Sequence, residues 1–280
     1  MCEFCHQHGD GQKWYLKAEN YSQELLDNLE RRRYLDSFSG LGNIQGAEIE
    51  AGFQKAMRSP AWLRKLIYFF REKRQRRDHF GQVVPLEDLA QVMDLAASIV
   101  RIPCICRKIN KGKTDAGYCF GLGLDAEKML GFQEAFLETF RNGPEDAHVD
   151  RLSKAEALDL HRGFEKQGLI HTIWTFKTPF IGGLCNCDRA DCLAMLSYQY
   201  NFHAFFRGEY VAEVSNDACI GCRECHSLCQ FGAIGFSVVD QKTFVDPLRC
   251  YGCGICRSAC EMDAISLAPR KGHPSAHNLW

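Results

Sequence analysis

The spacing of apolar and polar positions predicts helices over most of the first two-thirds of the chain and short strands over the last third. Within residues 20–39, Leu25, Leu26, Leu29, Tyr34 and Phe38 recur at near-helical spacing, which predicts an amphipathic helix. A second helix is expected over 46–58. Pro60 suits a helix start, and AWLRKLIYFFREKRQRRDHF continues from it. After the breaker GQVVP, residues 86–100 read as another helix, which delivers the chain to PCICR. Ser153 and Glu156 have capping-box spacing and open a helix running to Gln167, closed by Gly168. The β-rich GLIHTIWTF follows, and a helix leading into an extended aromatic segment suggests a winged-helix-like unit. Its helix, EALDLHRGFEKQ, has no cationic surplus, so it is expected to be scaffold rather than a DNA reader. The segments YVAEVS, AIGFSV, TFVDP and AISLA read as strands. The fold class expected is α+β: a mainly helical region over 1–84, a cysteine-rich central domain over 85–205 and a C-terminal domain over 206–280.

Composition changes this picture in two ways. Lys+Arg (34) and Asp+Glu (35) nearly cancel over 280 residues, which argues against a nucleic-acid or anionic-membrane binder. The local exception is Arg71, Lys73, Arg74, Arg76 and Arg77, a basic run that is either a solvated helix end or a docking patch for an acidic redox partner. No apolar run is long enough to span a bilayer and no secretory signal is visible, so a cytoplasmic location is expected. Sixteen cysteines in a reducing compartment then point away from disulfides and towards metal or redox chemistry.

Half of those cysteines lie in a tandem repeat. CIGCRECHSLC (219–229) and CYGCGICRSAC (250–260) are offset by 31 residues, each with the spacing C-x2-C-x2-C-x3-C. Three closely spaced thiolates and a fourth from the other half suit a cubane cluster. On that rule Cys219, Cys222, Cys225 and Cys260 hold one [4Fe–4S] cluster, and Cys250, Cys253, Cys256 and Cys229 hold a second. Each run's last cysteine is expected to start a helical turn. Ile220, Phe231, Ile234, Tyr251, Ile255 and Ile265 are expected as the apolar jacket. The stretch 208–268 resembles the bacterial-type two-[4Fe–4S] ferredoxin fold, with one departure: the usual proline after the fourth cysteine is Gln230 in one half and Glu261 in the other.

Eight cysteines remain. Cys104, Cys106 and Cys119 precede Cys185, Cys187 and Cys192, giving two C-x-C pairs with a third cysteine each, a candidate site for an additional iron–sulfur cluster. Zinc sites more often show C-x2-4-C spacing. Cys2 and Cys5, with His6 and His8 nearby, form a further candidate half-site for a cluster or for zinc. Their Cys-x-x-Cys-His pattern also matches haem attachment, a reading that the cytoplasmic expectation disfavours. His161, His171 and His203 are expected to be structural. No nucleotide-binding, hydrolase or zinc-protease motif is present.

The order PC-x-CR, C-x-FG, helix-GLIH, LCNC and then the paired cluster motifs resembles a largely uncharacterised family of cytoplasmic ferredoxin-containing iron–sulfur proteins of anaerobes, over about residues 85–268. Here the Cys-Asn-Cys continues as Asp188-Arg-Ala-Asp191-Cys192, where that family commonly has more cysteines. The function expected is electron transfer between the dicluster module and the central domain or a partner redox enzyme. A reductase acting through the central cysteines and a cluster-based redox sensor are the alternatives.

Overall fold

The computed structural model describes residues 13–22, 25, 27–39, 45–113, 117–123 and 150–280. Cys2, Cys5, His6 and His8 lie outside the described residues. Two single 3-10 turns, Trp14–Leu16 and Ala18–Tyr21, sink Trp14, Tyr15 and Tyr21 into the core. The helix expected from residue 20 begins only at Leu29 (α1, Leu29–Ser39). Asn28 sets that start, because its Oδ1 accepts the N–H groups of Glu30 and Arg31 at 3.0 and 3.1 Å. Helices α2 (Gly46–Arg58) and α3 (Ala61–Asp78) follow expectation, with Pro60 just before α3.

Strand β1 (Gly81–Val84) and helix α4 (Leu86–Leu95) come next. The helix foreseen to residue 100 stops at Leu95, because Ala96 turns extended and β-branched Ile99, Val100 and Ile102 join a sheet as β2 (Ser98–Ile102). The chain continues through α5 (Ile105–Lys111), β3 (Cys119–Gly123), β4 (Asp150–Leu152), α6 (Lys154–Lys166), β5 (Ile170–Thr175), β6 (Ile181–Cys187), α7 (Leu193–Gln199) and β7 (Phe205–Phe206). The expected capping box is formed at Ser153 and Glu156.

These seven strands make one sheet in the order β4-β2-β3-β6-β5-β1-β7, antiparallel except for β1 with β7. Where a winged-helix-like unit was expected, β5 is an interior strand of this sheet, between β6 and β1. The sheet also draws strands from both sides of residues 84 and 205, β1 and β7 included. Side chains alternate between its faces. Phe120, Ile173 and Leu184 point to one face and pack with Leu89, Val92 and Met93 of α4 and Ala157 and Phe164 of α6. Cys119, Cys185 and Thr172 occupy matched positions on the other face. There Cys187, Trp174 and Val83 pack with Ala194 and Met195 of α7.

The C-terminal part is built from two strand pairs. β8 (Tyr210–Val214) pairs with β11 (Ile265–Pro269), and β9 (Ile234–Ser237) with β10 (Lys242–Val245). The short α8 (Glu224–Leu228) and the 3-10 turn Ile255–Ala259 precede the fourth cysteine of each run rather than starting from it. Each cysteine closes that element and, as expected, opens a turn of its own, with Gly232 N–H donating to Cys229 O at 3.3 Å and Asp263 N–H to Cys260 O at 3.1 Å. The module is fastened to the sheet region by a two-pronged ion pair of Arg257 with Glu87, by Ser258 Oγ donating to Glu165 O, and by Gln230. Gln230 donates to Gly168 O at 2.7 Å and accepts from Arg189 N–H at 3.1 Å, which accounts for its presence where proline is usual. No helix among the described residues is long and apolar enough to cross a membrane.

Candidate functional site

The repeat brings its eight cysteines together in two sets. Cys219, Cys222, Cys225 and Cys260 line one cavity of about 510 Å³. Cys229, Cys250, Cys253 and Cys256 line a second, of about 20 Å³. Each set thus takes three thiols from one run and one from the other. Gly221 and Gly252 make the loops possible. Both have positive φ (74° and 71°), and a Cβ would stand 2.3 Å from Gln241 O in one half and 2.1 Å from Tyr210 O in the other. Only glycine tolerates that approach.

The donor pattern repeats at the same offset. The N–H groups of Gly252 and Ala212 point at Cys250 Sγ, both at 3.4 Å, and those of Gly221 and Thr243 point at Cys219. Ala233 and Ala264 donate to Cys229 and Cys260 at 3.2 and 3.3 Å. Backbone donors aimed at sulfur stabilise a thiolate, which is the form that binds iron. Burial acts against them. It raises the Cys225 and Cys253 thiols and pushes Cys256 up to about 12, so metal binding there would release protons. Among the described residues no three His, Cys, Asp or Glu side chains converge on a single ion. Thiolates that each bind a different iron of a cubane have no need to, so the two sets fit a cluster better than one metal ion.

Their surroundings differ. Phe231, Tyr251, Ile255 and Ile265 are buried as expected and Ile234 is half-buried, but Ile220 is 64% exposed, a correction to the expected jacket. Ile220 lies beside the exposed Cys222 at the mouth of the first cavity. The second set faces inward: Cys253 and Tyr251 share an apolar core with Cys187, Cys192, Tyr198 and Phe205. Tyr251 stacks on Phe231 with ring centroids 4.0 Å apart, and Tyr198 of α7 meets both edge-on.

The six central cysteines line a third, mostly apolar cavity of about 100 Å³. They form one packed chain of thiols: the sulfurs of Cys119 and Cys185 lie 3.5 Å apart, Cys104 and Cys106 pack with them, and Cys187 and Cys192 adjoin Cys106 and Cys185 in the neighbouring core. Hydrogen bonds from Cys106 and Cys119 hold the Cys104 thiol well below its ordinary range, and Cys106 and Cys187 do the same for Cys192. The partners Cys106, Cys119 and Cys187 are raised in turn, first by those same bonds and then by burial.

Sequence reasoning missed Arg107, which packs against this chain with only 2% of its side chain exposed. Its guanidinium lies 3.7 Å from Cys104 Sγ, donates to Asn186 O at 3.1 Å, pairs with Asp188 and stacks over the Tyr118 ring at 3.9 Å. Asp191 is 3.9 Å away. Burial opposes the charge, but Cys104 and Asp188 raise the Arg107 pKa and hold it cationic. The available signal was the Asp188-x-x-Asp191 step after Cys-Asn-Cys: two carboxylates beside a thiol cluster call for a cation.

Behind the same strand, Asn186 joins two buried histidines. His171 Nδ1–H donates to Asn186 Oδ1 at 2.6 Å and His161 Nδ1–H to Ala157 O at 2.7 Å. Both are enclosed, as the structural expectation for them requires. His203 is exposed and paired with Glu72. The basic run ends α3. Arg74 and Arg77 pair with Asp78, Arg76 lies over Phe206, and Arg71 and Lys73 are exposed.

Residues 218–265 match the family model of the 4Fe-4S dicluster domain, a stretch that contains all eight cysteines of the repeat and makes the C-terminal module an iron–sulfur electron-transfer domain.

Proposed function

We propose that the protein is an iron–sulfur electron carrier whose C-terminal module passes electrons inward to the six-cysteine centre. Cys219, Cys222, Cys225 and Cys260 would hold the outer [4Fe–4S] cluster, and Cys229, Cys250, Cys253 and Cys256 the inner one. The clusters supply one-electron capacity. The chain supplies the thiolates, the N–H donors that stabilise them and the apolar walls that exclude water. The observation that carries the reading is the single apolar core shared by Cys253 of the inner set and Cys187 and Cys192 of the central centre. A carrier that only exchanged electrons with solvent-borne partners would have no reason to bury its inner set against further cysteines. On this reading the six-cysteine centre is the internal acceptor, with four of its cysteines enough to hold an additional cluster.

Iron and acid-labile sulfide on anaerobically purified full-length protein test this. Two cubanes correspond to about eight irons per chain and a third raises the count to about twelve. A Cys253→Ser variant is expected to lose inner-cluster iron and to slow reduction of the central centre while the outer cluster still accepts electrons. Unchanged reduction of the central centre in that variant would overturn the inward route.

A further inference from the structure

Building on this reading, we infer that Cys119 and Cys185 are a redox-active dithiol–disulfide pair, distinct from the ligands of any central cluster. They are register partners on the antiparallel strands β3 and β6, with their sulfurs 3.5 Å apart. Register partners in an antiparallel pair have Cα atoms about 4.5 or 5.5 Å apart. Both values lie inside the roughly 4.4–6.8 Å window in which a disulfide forms without backbone movement. Side-chain rotation alone can close the gap to the S–S bond length of about 2.05 Å.

The sheet also prevents the opposite movement. β3 is hydrogen-bonded between β2 and β6, and β6 between β3 and β5, so neither cysteine can swing away with its backbone. Two thiolates on different irons of one cubane need to stand apart, and this pair is held together. The other four central cysteines are placed otherwise. Cys104 and Cys192 immediately precede α5 and α7, Cys106 lies in the first turn of α5, and Cys187 ends β6. These four suffice for one cubane.

The electron count agrees. Opening the Cys119–Cys185 disulfide takes two electrons and two protons: the S–S bond breaks and each sulfur leaves as a thiol. The C-terminal module, with one electron from each reduced [4Fe–4S] cluster, supplies the two electrons, and solvent supplies the protons. Both clusters return to their oxidised level.

The test is thiol mapping on full-length holoprotein, equilibrated anaerobically against oxidised and reduced dithiothreitol, alkylated and read by peptide mass spectrometry. The expected result is a Cys119–Cys185 cross-linked peptide at the oxidising end. Its loss should follow a two-electron curve, tenfold in the ratio per about 30 mV. Reducing the clusters with dithionite should open the link in protein that has not met dithiothreitol. Cys119→Ser and Cys185→Ser should abolish the two-electron step and leave iron per chain unchanged. Loss of iron in either variant would make the pair cluster ligands and overturn the inference, as would a wild-type protein that never yields the cross-linked peptide. If neither variant folds, the wild-type mapping decides alone. A protein with no iron in which the link still forms would keep the pair and overturn the clusters as its electron source.

Discussion

Arg107 is the residue on which the charge of the central centre depends. Its guanidinium is buried against Cys104, Asn186 O, Tyr118 and two carboxylates, so removing it leaves Asp188 and the thiolate without their cation. Breaking such a buried pair costs on the order of 3–5 kcal/mol. Arg107→Gln is therefore expected to lower stability by about that amount in denaturant titrations, and Arg107→Lys by less. The pH dependence should change as well. Cys104 is depressed in the folded protein, so the unfolded chain binds more protons and stability rises with pH, from the depressed folded value up to the ordinary thiol pKa of about 8.5. The Cys106 and Cys119 thiols contribute most to that depression and Arg107 adds to it, so in metal-free protein Arg107→Gln should reduce the rise without removing it, and an unaltered slope would show that the guanidinium plays no part. His161 works in the same direction at lower pH. Burial first, and then neighbouring His171, lower its pKa to about 3. The contribution of neutral His161 is complete above pH 6.5 or so and is lost as pH falls towards 3, at about 1.4 kcal/mol per unit. His161→Gln should reduce the acid-side slope in thermal melts and leave the part due to His79, which burial lowers to about 4.

Elements show where reading the sequence succeeds and where it stops. Helices α3 and α6 were legible because each carries its own boundary chemistry: Pro60 before α3, and the Ser153–Glu156 box before α6. The four C-terminal strands were legible from a repeat that also dictates their pairing. The seven-stranded sheet was not. Its strands β2 and β3 are short, and residues 98–102 carry an apolar run that suits a helix end equally well until pairing with Cys119–Gly123 decides it. Loop glycines are the sharper case. Gly112 and Gly252 both have positive φ, yet a Cβ at Gly112 meets nothing within 4 Å, whereas one at Gly252 would stand 2.1 Å from Tyr210 O. Gly112→Ala should cost only the backbone strain of a left-handed residue, about 1 kcal/mol. Gly252→Ala must displace a neighbouring strand, and it should lower the iron content of the inner set as well as the melting temperature. Equal effects of the two substitutions in parallel iron assays and melts would mean that the Cys250 loop can yield.

At the scale of the molecule, the spacing of the repeat predicts three thiols from one run beside one from the other, and the two cavities group the eight cysteines in that way. The sequence could not show that six distant cysteines form one packed chain of thiols, since that depends on sheet order and on a buried arginine. Nor could it show which end of the module faces out. The mouth of the outer cavity carries the exposed Cys222 and the carboxylates of Glu224 and Glu261, and among the described residues no cation lines it, Lys242 being bonded to Cys219 O beside it. α3, by contrast, exposes Arg71 and Lys73 next to Trp62, Phe69 and Phe70. The two faces therefore attract partners of opposite charge, and only the first borders the outer set of thiols. A cationic one-electron acceptor such as cytochrome c should oxidise the reduced protein at a rate that falls with ionic strength. Glu224→Lys with Glu261→Lys should slow it about tenfold or more at low salt and reverse the salt slope. Arg71→Glu with Lys73→Glu should leave that rate alone. If the α3 variant is the slower one, electrons leave through the basic face, and the outer set is not where this acceptor docks.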